Sequence, residues 1–436
     1  MVQEVNKMAR EIVVEHLARV EGHGGIEVTI EGEEVKDVKM RISEGPRFFE
    51  AIIKGVKYDK VPDVMRRICG ICTASHSLAS IRTIEKAFKV EVTPRTAMLR
   101  DLLIHGEVIE SHSLHLFLLA LPDYLGYPDA LSMMDKHAKE VKAAFQLKKT
   151  GNMVHNALSG REVHGMNDRV GGFSTMPKEE DLLSIKKAME DSKAAAEDAV
   201  SLFASLDIPD CTHSENILMA LDPGDRFGYL GDHVLISDGK RKRVEEYREL
   251  TNEEVVKHSH AKHSSYRGSS FMVGALSRVT LCKERLYGTA NELFREHAEK
   301  LNPRNSLNNN LAQAIELVHC IDRCLEDIDA LFNNGIEKEE LAKIEPRKSS
   351  AIGAVEAPRG ILYHDYSFDE NGCITQANVI TPTAMNSANM EKDFGVAVGR
   401  LVSERKENLE STLELIARAY DPCISCSAHL INVKFV

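Results

Sequence analysis

Two C-x-x-C pairs at opposite ends of the chain are the feature that most limits how it can fold. The first pair, Cys69 and Cys72, lies in the segment RICGICTASH, and the second, Cys423 and Cys426, lies in DPCISCSAH. A C-x-x-C turn brings two thiolates onto one metal ion, and two such turns supply four sulfur ligands. Because 351 positions separate Cys72 from Cys423, the pairs can share a metal only through the whole fold.

Each pair also has an interpretation of its own. A single C-x-x-C occurs in structural zinc knuckles and in thioredoxin-like redox sites. Zinc ribbons separate their pairs by only about 15–20 residues, so the spacing here excludes a local knuckle. Redox dithiols usually begin a helix in a small βαβ domain, and this chain lacks that pattern. Spacing alone leaves a shared metal site and separate pairs about equally favoured.

Composition indicates a globular protein. Of its 436 residues, 43% are hydrophobic and 28% are charged, which gives ample apolar surface for a core. The net charge of −12 disfavours nucleic acid as a partner. The absence of an 18-residue apolar run predicts no membrane insertion, and the lack of a secretory signal with an odd count of nine cysteines favours the cytoplasm.

Hydrophobic periodicity predicts an α+β protein that is mainly α-helical. Alternating segments predict strands at 11–18, 26–42, 225–237, 351–363 and 373–381. Helical spacing begins near residue 84 and predicts helices at 95–120, 129–150, 178–206, 284–300, 306–333 and 389–418, with a loop at 207–226. Because we find no repeat and no long linker, we predict one large domain with a helical bundle and small peripheral β-sheets.

Five ordered motifs resemble the large, catalytic subunit of NiFe hydrogenases. The two cysteine segments match R-x-C-G-x-C-x-x-x-H and D-P-C-x-x-C-x-x-H, and the other three are Arg19–His23, Phe49–Gly55 and Glu356–Gly360. The resemblance covers nearly the whole chain and implies the hydrogenase large-subunit fold. Three further segments resemble the soluble, bidirectional, cytoplasmic branch, and especially the NADP-linked sulfhydrogenase type: Ile42–Glu50, Phe271–Arg278 and Asn308–Glu316.

The resemblance implies a nickel–iron site on the four cysteines. Cys69 and Cys423 would be terminal nickel ligands, and Cys72 and Cys426 would bridge nickel to an iron that carries CO and two cyanides. Soft thiolates suit nickel. The family pattern makes Arg359 and Thr383 the donors to cyanide, with Val379 and Pro382 lining the pocket. Pro358, between Ala357 and Arg359, would be a supporting residue.

The implied reaction is the reversible, heterolytic cleavage of H2 into a hydride and a proton. Cys423 and Arg359 are the candidate bases, and we favour the thiolate because arginine almost never loses its proton in proteins. Glu21 would pass the proton outward, since a carboxylate beside a thiol can exchange protons through small rotations.

The resemblance also implies a Mg²⁺ site near the C-terminus. Glu50, His429 and the carbonyl of Val379 would be its ligands, and carboxylate and carbonyl oxygens suit this ion. Three further residues would support the nickel–iron site: His76 through a hydrogen bond to a bridging thiolate, Asp421 by orienting Arg359, and His115.

Two positions depart from the family pattern. Ser111 precedes His112 where many members have an aspartate, so one carboxylate of the usual site is missing. Met385 replaces a tryptophan. Any mechanism that requires that aspartate is therefore doubtful for this chain.

A histidine cluster lies outside these motifs. His258, His260 and His263 have metal-like H-x-H-x-x-H spacing. Lysines flank these histidines, and the sequence near them offers no acid or cysteine that we identify as a further metal ligand. We therefore predict a solvated segment here rather than a metal site.

Electrons need a route out of the buried site. Because no other cysteine-rich motif could hold iron–sulfur clusters, the resemblance implies an iron–sulfur small subunit, with flavin-containing diaphorase and ferredoxin-like subunits and an acceptor such as NAD(P). It also implies nickel-insertion proteins and a maturation protease, so we expect a catalytic domain at 1–429 and a removable extension at 430–436. The alternatives are a metal-free hydrogenase-like structural subunit, which the four cysteines disfavour, and a zinc-stabilised scaffold.

Overall fold

The computed structural model describes residues 9–212, 215–406 and 408–428. Its strands are β1 (Ala9–Val14), β2 (Gly24–Glu31), β3 (Glu34–Ile42), β4 (Asp168–Arg169), β5 (Gly172–Phe173), β6 (Ile217–Asp222), β7 (His233–Ile236), β8 (Arg241–Arg243), β9 (Phe271–Met272), β10 (Ser349–Ala357), β11 (Gly360–Phe368) and β12 (Ile374–Ile380). Its helices are α1 (Phe49–Ile52), α2 (Val61–Met65), α3 (Thr73–Phe88), α4 (Pro94–Leu114), α5 (Leu121–Leu125), α6 (Ala138–Ser159), α7 (Glu179–Ser205), α8 (Tyr247–Thr251), α9 (Ala275–Cys282), α10 (Gly288–His297), α11 (Asn309–Asn334), α12 (Pro382–Ser403), α13 (Leu409–Ala419) and α14 (Ile424–Ser427).

Long helices form the centre of the protein. Helix α4 packs against α6 and α11, and α11 also packs against α7 and α9. The first sixteen residues of α11, from Asn309 to Cys324, are all buried, so this helix runs through the core rather than along its surface. None of the described helices is both long enough and apolar enough to cross a lipid bilayer.

Small sheets surround this bundle. The described strands pair in the orders β1-β2-β3, β4-β5, β8-β7-β6-β9 and β10-β11-β12, and only β6 and β9 pair in parallel. Helix α3 packs on β10 and β11, and α12 packs on β3. The predicted mainly helical α+β architecture, with a bundle and peripheral sheets, is confirmed.

Several predicted boundaries were wrong, for identifiable reasons. Helix α3 begins at Thr73, well before residue 84, because its first residues, Thr73–Ser77, are small or polar although they are buried, so no apolar pattern marks its start. The helix expected at 129–150 begins at Ala138, and β6 lies inside the expected loop at 207–226. The expected helix at 389–418 is two helices, α12 and α13, and Arg405 between them has a left-handed backbone with φ of 56°.

The N-terminal sheet brings two segments that are far apart in the sequence together. Glu21, just before β2, forms an isolated β-bridge with Cys423 near the C-terminus. Gly22 makes this approach possible, because a Cβ atom there would lie 2.8 Å from both the Ser425 amide nitrogen and the Ile424 Cβ. Its φ of 87° is also the left-handed conformation that favours glycine.

Candidate metal centre

The four cysteines meet in one buried cluster. The sulfur atoms of Cys69 and Cys423 lie 3.5 Å apart, and those of Cys72 and Cys426 are separated by the same distance. All four sulfurs lie within 4.8 Å of one another, and none is in a disulfide. The fold therefore joins the two pairs into one possible tetrathiolate site, which the spacing of the pairs in the sequence left open.

Both cysteine pairs lie where the chain enters a helix. Cys69 is extended after the short 3-10 turn Arg66–Ile68, and Cys72 immediately precedes α3. On the other side, Asp421 adopts a left-handed backbone with φ of 51°, and Cys423 immediately precedes α14. These turns direct the four side chains toward one another.

The cluster needs a cation to hold all four sulfurs as thiolates. Burial raises the pKa of Cys423 to about 11. Hydrogen bonding from Cys423 holds the pKa of Cys69 well below its ordinary value. Four buried negative charges at this spacing would repel one another, and bound metal cations remove that repulsion. The donor set therefore fits soft metal ions.

Glu107 fixes the turn after Cys72, and sequence reasoning missed it. Its side chain accepts hydrogen bonds from the amides of Ala74, at 2.6 Å, and Ser75, at 3.1 Å, and from the Ser75 hydroxyl. Burial raises the pKa of Glu107 to about 8. The only sequence signal was an acid on an apolar helix, and nothing in the sequence indicated which helix end it would hold.

Arg359 lies beside the cluster in the turn between β10 and β11. Its Nε donates to the Asp421 carbonyl at 2.6 Å, and its Nη2 donates to the Asp421 carboxylate at 3.0 Å. Its Nη1 is buried and makes no hydrogen bond within the described part of the chain. One guanidinium donor is thus left for a ligand, and the predicted contact between Asp421 and Arg359 is present.

Arg359 is also held as a cation. Burial alone would lower the pKa of Arg359, but Asp421 and the nearby thiols outweigh it and hold that pKa well above its ordinary value. A permanently protonated guanidinium can donate hydrogen bonds but cannot accept a proton. The geometry therefore favours the thiol of Cys423 over Arg359 as a base.

Glu21 contacts that thiol directly. The Cys423 sulfur donates to Oε2 of Glu21 at 3.1 Å. The Ser425 amide donates to the same oxygen at 3.0 Å, and the Ser425 hydroxyl donates to Oε1. The Glu21 carbonyl accepts from the Ile424 amide at 2.8 Å, so both main chain and side chain fix this carboxylate. Glu21 is only partly buried, which suits a group between the cluster and solvent.

Thr383 contacts the cysteine turn directly, and His115 is connected to it through other residues. The Thr383 hydroxyl accepts from the Cys423 amide at 2.9 Å and retains its own proton for donation. His115 donates from Nε2 to the Arg418 carbonyl at 2.7 Å, and its Nδ1 faces Gln313, which donates to Asp421 at 3.1 Å. His115 therefore acts on Arg359 only through Gln313 and Asp421.

Two further predicted residues, His76 and Pro358, and the departure position Ser111 lie around the cluster. His76 is buried one turn after Cys72, with its ring centroid 5.7 Å from that of His364. The Pro358 carbonyl accepts from Arg278 at 2.8 Å. Ser111, at the departure from the family pattern, is fully buried.

Two of the three predicted magnesium ligands lie on neighbouring elements. Glu50 is buried on α1 and Val379 is buried on β12, and α1 packs against β12. His429 and the predicted extension at 430–436 lie outside the described residues.

Comparisons with known proteins agree with this site. The sequence model of the nickel-dependent hydrogenase family matches residues 47–178 and 232–429. Sulfhydrogenase 2 subunit alpha of Pyrococcus furiosus is 42% identical, over 97% of this chain and 100% of that protein. The beta subunit of the NAD-reducing hydrogenase HoxS of Cupriavidus necator is 29% identical, over 98% of this chain and 96% of its own. A crystal structure of an NAD+-reducing [NiFe]-hydrogenase in the H2-reduced state superposes with a TM-score of 0.86 at 26% identity, over 96% of this chain and 99% of that one.

Proposed function

The chain belongs to the nickel-dependent hydrogenase family, and we propose that it cleaves H2 reversibly at a nickel–iron site held by Cys69, Cys72, Cys423 and Cys426. The convergence of four buried sulfurs from both ends of the chain carries this proposal. A nickel–iron pair supplies the Lewis acidity and the redox capacity that H2 cleavage requires. The protein residues hold the metals, exclude water and move the proton.

The cysteines have two roles in this proposal. Cys69 and Cys423 would hold nickel alone, and Cys72 and Cys426 would hold both nickel and iron. The iron would carry CO and two cyanides, and such ligands need hydrogen-bond donors in a dry pocket. The buried Nη1 of Arg359 and the Thr383 hydroxyl suit these ligands, because each lies near the cluster with a donor to spare.

The proton leaves through Cys423 and Glu21. The thiolate of Cys423 accepts the proton of H2, since Arg359 stays cationic. Glu21 then takes it across the 3.1 Å contact between the Cys423 sulfur and Oε2. The hydrogen bonds from Ser425 orient the carboxylate for this transfer.

A Mg²⁺ ion near the C-terminal turn completes the proposed site. Its ligands are the Glu50 carboxylate, the Val379 carbonyl and an imidazole nitrogen of His429. The burial of Glu50 on a helix that packs against the strand of Val379 supports this assignment, because a buried carboxylate favours a cation nearby.

Electrons pass to a partner. Among the described residues, the five cysteines outside the cluster belong to no metal-sized group, so this chain offers no visible relay of its own. We assign the relay to an iron–sulfur small subunit, followed by flavin-containing diaphorase and ferredoxin-like subunits in the cytoplasm. The names of the sulfhydrogenase and NAD-reducing relatives favour NAD(P) as the acceptor.

Metal analysis with infrared spectroscopy tests the proposed function. The native complex should contain nickel and iron in equal amounts on this chain and show stretching bands of iron-bound CO and cyanide. A complex without nickel and without these bands would identify a metal-free structural subunit. Zinc at the four cysteines would identify a zinc-stabilised scaffold.

A further inference from the structure

A second cluster of possible metal ligands lies outside the cysteine site. His258 and His263 come from the segment between α8 and β9, and Glu391 comes from α12. Their ligand atoms lie within 4.8 Å of one another. The sequence predicted a solvated segment here, but the side chains are partly buried, and Glu391, which completes the group, is far away in the sequence.

The Glu391 carboxylate is the centre of this group. Its Oε1 accepts a hydrogen bond from Nε2 of His258 at 2.7 Å and from the Met40 amide at 2.8 Å. Nε2 of His263 lies 3.6 Å from the same oxygen, too far for a hydrogen bond. The side chains of His258, His263 and Glu391 are only 21%, 13% and 16% exposed.

His263 is the unexplained member. Its Nε2 is buried and makes no hydrogen bond to any residue that the structure describes, although it faces a carboxylate. A buried ring nitrogen without a hydrogen bond destabilises the folded state unless it binds another group, such as a metal ion.

We propose that His258, His263 and Glu391 bind a divalent transition-metal cation, of which Zn²⁺ is the best fit. Two imidazole nitrogens and one carboxylate oxygen are a ligand set that Zn²⁺ takes, with a solvent molecule in the fourth position. Ligand atoms around tetrahedral zinc lie about 3.3 Å apart, as follows from bond lengths near 2.0 Å. The spacing of 3.6 Å between His263 and Glu391 is close to this value, and a small opening of the contact between His258 and Glu391 completes the site.

The cation would join the His258–His263 segment to α12, beside β3. The His258–His263 segment covers the free edge of β3, where the Ile42 amide donates to the Ser259 hydroxyl and the His260 amide donates to the Ile42 carbonyl. Glu391 lies on α12, about 12 Å along the helix from Thr383, which holds the Cys423 amide. Binding should therefore stabilise the native protein near, but not at, the nickel–iron site.

Zinc binding by the nickel-loaded complex tests the proposal. The complex is treated with a chelator, dialysed against Zn²⁺ and assayed for metals by mass spectrometry. The wild type should hold one zinc more per chain than the His258→Gln, His263→Gln and Glu391→Gln variants. The four-cysteine site is identical in all of these proteins, so it cancels in the comparison.

His260→Asn is the matched control, because His260 lies in the same segment but its Nδ1 donates to the Glu44 carbonyl. It should retain the extra zinc. Zn²⁺ should also raise the unfolding temperature of the wild type and of His260→Asn by a few degrees, and not that of the three ligand variants, whose unfolding temperatures in chelator should match the wild type. Equal zinc contents in the wild type and the ligand variants, or loss of zinc in His260→Asn, would overturn the proposal.

Discussion

Cys423 is the residue at which the contacts of the active site converge. Its sulfur lies near Cys69 and donates to Glu21, and its amide donates to Thr383. A single side chain is thus proposed to bind nickel, accept the proton of H2 and pass it on. Because one sulfur atom has all three roles, replacing it by oxygen should affect metal binding and proton transfer together.

Cys423→Ser should abolish H2 oxidation and lower the nickel content, because a hard hydroxyl is a poor nickel ligand at neutral pH. Dye reduction under H2 and elemental analysis measure both effects. Cys373→Ser is the control, since Cys373 is a free cysteine outside the cluster and should keep full activity. Normal nickel and normal turnover in Cys423→Ser would contradict the four-thiolate assignment.

Glu21→Gln should keep the metals and lower H2 oxidation by at least about 100-fold, because an amide cannot relay a proton. Conversion of para- to ortho-hydrogen, which needs no proton transport to solvent, should survive. Ser425→Ala, which removes the hydroxyl donor to Glu21 but leaves its carboxylate, should cost less than about 10-fold. Turnover near wild type in Glu21→Gln would place the relay elsewhere.

Arg359→Lys should shift the infrared bands of the proposed cyanides, because lysine keeps the charge but not the planar set of donors. The fork that holds Asp421 through Nε and Nη2 would be lost as well. Asp421→Asn is the comparison, since it weakens the orientation of Arg359 and leaves the guanidinium in place. Unchanged bands in Arg359→Lys would remove this residue from the iron pocket.

At the scale of elements, the contacts between helices combine apolar packing with buried polar pairs. Arg278 on α9 bonds Glu316 on α11 at 2.6 Å and Glu356 on β10 at 2.9 Å, and Glu316 also lies 2.8 Å from His112 on α4. These groups are almost completely buried, so removing one partner would leave an uncompensated charge in the core. Such pairs fix which faces of the helices meet.

The contact between α4 and α11 near Asp327 should make stability depend on pH. Burial raises the pKa of Asp327 from 3.8 to about 7, with Arg323 opposing the shift. Between these values the native protein holds a proton that the unfolded chain has lost, so the free energy of unfolding falls as pH rises from about 4 to about 7. The slope is at most about 1.4 kcal/mol per pH unit from this group.

Asp327→Asn should therefore flatten the fall in unfolding temperature between pH 5 and pH 8, as measured by calorimetry at fixed ionic strength. Asp329→Asn, an exposed substitution on the same helix, should leave the slope as in the wild type. Equal slopes in the wild type and Asp327→Asn would show that Asp327 is ionised throughout this range.

At the scale of the whole molecule, the cysteine cluster exists only because segments around Glu21, Cys69 and Cys423 meet. The N-terminal sheet carries Glu21 to the C-terminal turn, and α3 carries Cys72 to Cys426. Ala428, the last residue that the structure describes, is buried. In the proposed magnesium site a free carboxylate at His429 would suit a buried position, whereas a continuing chain would need a path to the surface.

We therefore predict that the active enzyme is a 1–429 catalytic domain that has lost Leu430–Val436. Intact mass spectrometry of the nickel-loaded, active fraction should show a chain that ends at His429, whereas a nickel-free precursor should retain the extension. Finding all 436 residues in the active fraction would show that the extension is structural.

The sequence by itself determined the chemistry and the family. The cysteine pairs, the E-A-P-R-G segment and the R-x-E-G-H segment are short stretches of consecutive residues, so they can be recognised in the sequence without a structure. Helix α7 was also predicted closely, because its buried residues recur at a 3.6-residue period along one face. Helix α3 was missed at its start because its first residues are small or polar although they are buried.

The tertiary structure alone decided which distant polar groups meet. Glu107 holds the turn after Cys72, and Glu391 joins His258 and His263, yet in each case the partners lie on elements far apart in the sequence. A buried carboxylate must find donors or a cation, but the requirement does not specify where in the chain they come from. The packing of the helices and sheets decides which side chains meet, so it determines the composition of both groups of possible metal ligands.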